Sequence, residues 1–349
     1  MREFRGSFVV TALCLVAAFF WGRAHEEMGA LTAIWLCLVL GVLEVSLSFD
    51  NAVVNASVLK DMDEFWRKMF LTVGILIAVF GMRLVFPIVI VAVATDQGLI
   101  PVIDLALTQP EEYSKALTEN YPAIASFGGI FLLLVFFNFL FDPERELHWL
   151  GAVERKLARA GKMDYLAVVL ALIALFSTQW FLPEALHLSV LTAGMAGIIL
   201  YILVDALDSI FEPEPSESGI GPAKRAGIAA FMYLEVLDAS FSFDGVIGAF
   251  AITRDVVIIM LGLAIGAMFV RSMTVYLVHK GTLDEYVYLE HGAHYAIGVL
   301  GVIMFVGIVA HVPEVLTGLI GVAFIVASLY SSIRHKRAIS RADTSLAPE

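Results

Sequence analysis

The sequence predicts an all-α polytopic membrane protein with about ten transmembrane helices, and three observations carry that prediction. Hydrophobic residues fill 60% of the 349 positions and charged residues only 16%, short of the roughly 25% charge that a soluble domain keeps. The mean hydropathy is +0.86, and the apolar residues come in long runs, several of which reach the ~20 residues that a bilayer core demands. Lys and Arg are also spread unevenly among the loops between those runs.

In order, the apolar windows are 7–22, 29–58, 69–94, 124–141, 164–182, 186–211, 227–252, 256–279, 295–312 and 315–333. In the first, Arg2 and Arg5 precede a short apolar core, as in a signal peptide. Gly22-Arg23-Ala24 is a poor cleavage sequence, however, so residues 1–28 read as a signal-anchor helix, with a signal peptide as the alternative. Residues 29–141 form a first three-span unit. Residues 142–211 hold a basic cytoplasmic helix and two connecting spans. Residues 212–226, with Glu212-Pro-Glu-Pro-Ser-Glu-Ser-Gly-Ile-Gly-Pro222, are a linker. Residues 227–312 form a second three-span unit, and 313–349 the last span and a polar tail.

In this layout 17 of the 22 Lys and Arg lie on the side of the N-terminus; Arg23, Lys115 and Arg254 lie on the other, and Arg83 and Arg271 lie within spans. One missed span would swap sides downstream, so the bias predicts both termini cytoplasmic in a cell inner (plasma) membrane. The formal charge of −12 speaks against nucleic acid as a partner. The expected partners are the lipid bilayer and a transported ion, with a homo-oligomer left open. Cys14 and Cys37 sit in apolar runs without a CxxC or Cys/His grouping, which argues against a thiolate metal site.

The loops carry weaker signals. Residues 95–123, with Asp96, Asp104, Glu111, Glu112 and Glu119, read as a solvated outer loop. His148 to Lys162 reads as a basic amphipathic helix on the inner leaflet, with Trp149, Leu150, Val153 and Leu157 on its apolar side. Asp205 and Asp208 read as a solvated helix end. His279, Glu290, His291, His294 and His311 read as interfacial packing.

The two halves match where their unusual residues are. Span two holds Glu44-Val-Ser-Leu-Ser-Phe-Asp50-Asn51, and span seven holds Asp238-Ala-Ser-Phe-Ser-Phe-Asp244-Gly245. In the spans that follow, Gly74 precedes Arg83 and Gly262 precedes Arg271 by the same interval. Spans two and seven differ by an odd number, so they cross in opposite directions. This predicts two inverted three-helix repeats, an architecture whose binding site lies near the midplane at the repeat interface.

The acids define the expected chemistry. An ionisable residue at mid-membrane costs about 2.5–3.5 kcal/mol, so Glu44, Asp50, Glu235, Asp238 and Asp244 require pairing, protonation or a bound cation. Glu44, Ser48 and Asn51 share one helical face, and Glu235, Asp238 and Ser242 share another. Asp50 and Asp244 point about 100° away from their neighbours in an unbroken helix. A break near Asn51 and Gly245 would turn them onto the same cavity. Carboxylate, amide and hydroxyl oxygens suit hard divalent ions such as Mn²⁺, Ca²⁺ or Mg²⁺. Glu44, Asp50, Asp238 and Asp244 against Arg83 and Arg271 leave two negative charges, which one such ion neutralises. The arginines read first as structural partners of the acids.

At these residues, Glu44…Ser48-Phe49-Asp50-Asn51, Asp238…Ser242-Phe243-Asp244-Gly245, Arg83 and Arg271, the sequence resembles the TerC family of the lysine-exporter superfamily. The resemblance spans approximately residues 30–330. It implies a metal exporter with Glu44, Asp50, Asp238 and Asp244 as ligands, no tightly bound cofactor and Mn²⁺ (or Ca²⁺) as cargo. A symmetric site would have Glu at position 238, so either Asp238 or Glu235 completes the second half. The expected function is therefore export of a divalent cation through Glu44, Asp50, Asn51, Glu235, Asp238 and Asp244. Ser48, Ser242, Arg83 and Arg271 would support them, and proton coupling is open. Export of a small cationic or zwitterionic solute and a non-transporting scaffold are the alternatives. An intramembrane aspartyl protease is disfavoured because its Tyr-Asp and Gly-x-Gly-Asp patterns do not match, so no enzyme activity is expected.

Overall fold

The computed structural model describes residues 3–25, 28–74, 76–161, 163, 165–210, 227–310 and 312–346, excepting the side chains of residues 94, 207–210, 243, 244, 314, 315 and 339–346. The expected linker Glu212–Pro222, the side chain of Asp208 and His311 lie outside the described residues. Every regular element among the described residues is helical. In order they are α1 (Arg5–Ala24), α2 (Ala30–Leu47), α3 (Phe49–Asp61) and α4 (Glu64–Met69), two π-helical runs (Phe70–Gly74 and Ile77–Val85), and α5 (Phe86–Ala94). Next come α6 (Leu99–Thr108), α7 (Pro110–Glu119), α8 (Tyr121–Phe141), α9 (Ala152–Ala160), α10 (Leu166–Ser177) and α11 (Glu184–Ile210). The last are α12 (Gly227–Ile252), α13 (Val256–Lys280), α14 (Thr282–Glu285), α15 (Leu289–Gly307) and α16 (Glu314–Leu346).

Seven of these helices are long and apolar enough to cross a membrane: α1, α2, α8, α11, α13, α15 and α16. Counted as one span, the pair Glu64–Gly74 and Ile77–Val93, bent by 40°, makes an eighth. The chain is thus a multi-pass membrane protein by length and composition. Two expected windows fall outside this set. Helix α12 carries Glu235, Asp238 and Asp244, and Leu166–Trp180 is a shorter apolar helix. Large apolar side chains face outward on the outer helices, among them Leu31 and Trp35 on α2, Phe176 on α10 and Leu319 on α16, as a hydrocarbon solvent permits.

Helix α8 is the centre of one packing unit, with α15, α11, α10 and α12 against it. Helix α2 is the centre of another, clasped by α13 and α1. Small residues let α2 and α13 close up. A Cβ on Gly262 would lie 3.0 Å from Cys37 O, and one on Gly266 would lie 2.9 Å from Gly41 O. Helix α1 is tied to α13 at both ends. Ser7 Oγ donates to Met268 O at 2.6 Å, and Trp21 Nε1 donates to Asp255 Oδ2 at 2.8 Å.

Two loop expectations are refined. Residues 95–123 keep exposed acids at Asp96, Asp104, Glu111, Glu112 and Glu119, but they form helices rather than a loop: α6 and α7 bury Val102, Ala106, Tyr113 and Leu117 in the apolar cluster that includes Val91 and Ile258. Each pair is spaced four residues apart, one face of a helix, and burial pushes the Tyr113 phenol pKa up. On α9 Glu154 and Ala158 are buried and Leu157 packs on the core; Glu154 accepts from Tyr295 Oη at 2.7 Å and is 2% exposed, whereas Val153, and Leu150 just before the helix, are exposed. The helix therefore docks on the protein through Glu154, Leu157 and Ala158 and leaves Leu150 and Val153 outward.

Candidate functional site

Two helices carry the acidic segments, and only one is interrupted. Ser48, at φ −105° and ψ 18°, separates α2 from α3. Asp50 and Asn51 follow in the first turn of α3, where Asp50 Oδ1 accepts the Asn51 N–H at 3.0 Å. Helix α12 runs unbroken through Gly245. The break expected near Asn51 is present three residues earlier, at Ser48, and the one expected near Gly245 is absent. Gly245 is needed for space rather than for a turn, because a Cβ there would lie 2.7 Å from Glu44 Oε2.

Glu44 is 1% exposed and pairs with Arg83 Nη2. Ser48 Oγ adds a hydrogen bond to Glu44 Oε1 at 3.2 Å. Arg83 also donates from Nη1 to Ala78 O at 2.6 Å, inside the second π-helical run. Such runs expose carbonyls that a regular α-helix would occupy, and they recur at functional sites. Arg271 uses the first run: its Nε and Nη2 reach Leu71 O at 3.1 and 2.9 Å. Of the two arginines expected to pair with acids, Arg83 does so and Arg271 rests on a neutral carbonyl.

Asp238 lies across from α3 and accepts from Asn55 Nδ2 at 2.9 Å. It shares a cavity of about 40 Å³ with Asn51, Asn55, Arg83 and Arg271. The Oδ1 atoms of Asn51 and Asn55 are buried without a hydrogen-bond partner. Unpartnered amide oxygens are costly, about 1–3 kcal/mol each, and these two belong to residues lining the cavity that Asp238 also lines. Asn55 was absent from the sequence-derived set, although its signal was there. Glu44, Ser48, Asn51 and Asn55 continue one helical face at i, i+4, i+7 and i+11.

The other expected residues do not join this cavity. Asp50 lines a separate one of about 30 Å³ with Phe241, Gly245, Leu300 and Gly321, toward α15 and α16. With no break after Asn51, helical periodicity keeps Asp50 on the far face. Glu235 sits one turn from Asp238, with both carboxylate oxygens buried and unpartnered, and its Oε1 occupies the space that a Cβ on Gly74 would need. Ser242 is buried with its Oγ unpartnered. The Asp244 side chain lies outside the described residues. Of Asp238 and Glu235, Asp238 is the one that lines a cavity together with Asn51, Asn55 and Arg83. Among the described residues no three His, Cys, Asp or Glu side chains form a metal-holding group. The oxygen-bearing side chains that line this cavity are instead those of Asp238, Asn51, Asn55 and Thr274.

Away from the acids, His294 stacks on Phe139 with ring centroids 3.9 Å apart, and His291 Nε2 meets Leu147 O at 3.0 Å. A larger hollow of about 690 Å³, lined by Asn138, Arg145, Tyr233, Glu290 and His294 among others, shares no residue with the acidic segments.

No curated protein and no solved structure matches the chain. A family model described as "Protein of unknown function (DUF475)" matches residues 49–339. The match includes Asn51, Asn55, Arg83, Asp238 and Arg271 and leaves Glu44 just outside. Because it covers most of the sequence, the chain belongs to the DUF475 family.

Proposed function

We propose that this protein is a membrane transporter that exports a divalent metal cation, with Mn²⁺ as the first candidate, through a midplane site built on Asp238, Asn51 and Asn55, with Glu44 and Arg83 beside it. One observation carries the reading. Asp238 of α12, a buried carboxylate, and Asn51 and Asn55 of α3, whose amide oxygens are buried without a partner, line one cavity of about 40 Å³, and oxygen donors of this kind suit hard divalent ions.

The resemblance to the TerC family, the ten-span layout with both termini cytoplasmic and the inverted repeat belong to this proposal. Packing supports the repeat. Under an exchange of spans two, three and four with seven, eight and nine, α2 on α13 becomes α12 on the second π-helical run, and both contacts are present. Gly262 approaches Cys37 and Leu40, and Gly74 approaches Phe231 and Glu235, positions one register apart from the repeat equivalents at most.

The test is efflux of Mn²⁺ from proteoliposomes containing wild type, Asp238→Asn or Asn55→Ala. We expect wild-type efflux above protein-free vesicles and a loss of at least about tenfold in Asp238→Asn, the variant that removes the charge whose burial is so costly. Full efflux in a well-folded Asp238→Asn protein would rule the site out. Absence of efflux for every ion tried with wild type would favour a scaffold.

A further inference from the structure

Far from the acidic segments, Glu154 Oε2, His148 Nδ1 and His291 Nδ1 are buried without a hydrogen-bond partner. They lie where side chains of α9 and α15 meet. Glu154 gives Oε1 to the Tyr295 hydroxyl at 2.7 Å, which leaves its second oxygen bare. His148 Nδ1 stands 3.9 Å from that oxygen, and His291 Nε2 stands 3.8 Å from it. The two imidazoles are not equivalent. His291 Nε2 meets Leu147 O at 3.0 Å, and a carbonyl can only accept, so Nε2 carries a hydrogen. A second proton on His291 would have to sit on Nδ1, which is buried with no acceptor. On His148 the free nitrogen is itself the one beside the bare carboxylate oxygen.

We propose that His148 and Glu154 form a proton-dependent clamp that fastens α9 to α15. A proton on His148 Nδ1 turns two unpartnered atoms into one charge-assisted hydrogen bond, after a closure of about 1 Å. The other charged and titratable groups around the clamp are engaged elsewhere. Arg145 lies over the Phe139 ring, 3.2 Å from its centroid, and stands 3.8 Å from Asp142. Arg145 and Glu290 act on each other as opposite charges. His294 stacks on Phe139, and its Nδ1 meets Glu290 O at 2.9 Å. Tyr295 is committed to Glu154. Helix α8, which also packs on α9, has no charged residue. An imidazole is charged in acid and neutral in base. The clamp is therefore at full strength below the imidazole range, as long as Glu154 stays ionised, and is lost as pH rises through it. Asp142 and Arg145 before α9, and Gly161 and Met163 after it, line the hollow of about 690 Å³. Acid thus holds both of these walls more firmly. This role is independent of any transported ion.

Hydrogen–deuterium exchange of the full-length protein in detergent reads the docking of α9 directly. Protection of the α9 amides, corrected for the intrinsic exchange rate, is compared at about pH 5.5 and about pH 8, on either side of the imidazole range. The proteins are wild type, Glu154→Gln, His148→Gln and His291→Gln. We expect wild-type α9 to be at least about tenfold better protected in acid, the effect of one hydrogen bond to a charged group, while α8 changes by less than about twofold. Glu154→Gln and His148→Gln remove the pH difference, and His291→Gln keeps it. Equal protection of wild-type α9 at both pH values overturns the clamp, as does a pH difference that survives in His148→Gln. Loss of the difference in His291→Gln but not in His148→Gln puts the proton on the other imidazole and overturns it too. A difference shared equally by α8 reports a change in the whole fold and also overturns it. If Glu154→Gln undocks α9 at both pH values, the comparison of wild type with His148→Gln decides.

Discussion

Breaking the Glu44–Arg83 pair gives the sharpest test of how the site is held. Arg83→Met removes the guanidinium and keeps most of the side-chain volume. Glu44, 1% exposed, then retains the Ser48 hydroxyl at 3.2 Å as its hydrogen-bond donor. Removing one member of a buried pair costs about 3–5 kcal/mol, because the other charge stays behind. At about 2.1 cal/mol/K of unfolding entropy per residue, a chain of 349 residues converts that into a melting point lower by about 4–7 °C. Glu44→Gln alone leaves Arg83 with the Ala78 carbonyl and is expected to fall by a similar amount. The double variant Glu44→Gln/Arg83→Met buries no unpaired charge. It should melt at least about 3 °C above the sum of the two single effects, a coupling of about 2 kcal/mol. Thermal unfolding in detergent, with the four proteins side by side, measures this. Strictly additive losses would refute the pair as an energetic unit. A double variant that is stable yet transports normally would show that Glu44 holds helices and does nothing for the cargo.

Three further outcomes follow from local geometry. Asp50 lines its own cavity and accepts the Asn51 N–H through Oδ1. Asp50→Asn keeps an acceptor there and should retain more than about half of wild-type efflux, whereas Asp50→Ala loses the acceptor and with it about 1 kcal/mol of local order; equal loss in both variants would return Asp50 to the list of charged ligands. In Gly262→Ala the new Cβ would lie 3.0 Å from Cys37 O and 3.2 Å from Leu40 Cδ1, so overpacking of about 1–3 kcal/mol outweighs the roughly 1 kcal/mol helix preference of Ala and lowers the melting point. Tyr295→Phe deletes the donor to Glu154, a carboxylate 2% exposed, and should cost about 1–3 kcal/mol; an unchanged melting point would show that α9 is not docked through that bond.

Much of this was legible in the sequence because a bilayer imposes simple rules. Length and apolarity alone mark α1, α2, α8, α11, α13, α15 and α16, and the paired acidic strings marked the helices that build the cavity. The direction of individual side chains was less legible. Asp50 was expected to turn inward at a break near Asn51, but the chain is interrupted earlier, at Ser48, and periodicity then carries Asp50 away. Gly245 looked like a helix breaker by composition. It is a contact residue, and only the position of Glu44 reveals that. The π-helical runs that receive Arg83 and Arg271 have no sequence signature of their own, since they depend on how the span packs. Asn55 could have been found by extending the face of Glu44 by one turn.

The charges near the cavity pose the remaining choice between glue and carrier. Glu44, Asp238, Arg83 and Arg271 sum to zero, so these four could hold helices together with no ion at all. Glue, however, would settle at its electrostatic minimum, with Arg271 on Asp238 and each amide oxygen satisfied. Here Arg271 rests on a carbonyl, and Asn51 Oδ1 and Asn55 Oδ1 are unpartnered. A cation bound by those oxygens would correct the amide defect directly. Binding of that kind must stabilise the fold. At a metal concentration of 100 times Kd the gain is about 2.7 kcal/mol, which for 349 residues raises the melting point by about 4 °C. Mn²⁺, Ca²⁺ and Mg²⁺ titrated against wild type should include one that produces this rise, and Asn55→Ala and Asp238→Asn should lose it. If no divalent ion shifts wild type, or if the rise survives in both variants, the amides and Asp238 are not ligands and the cluster is glue after all.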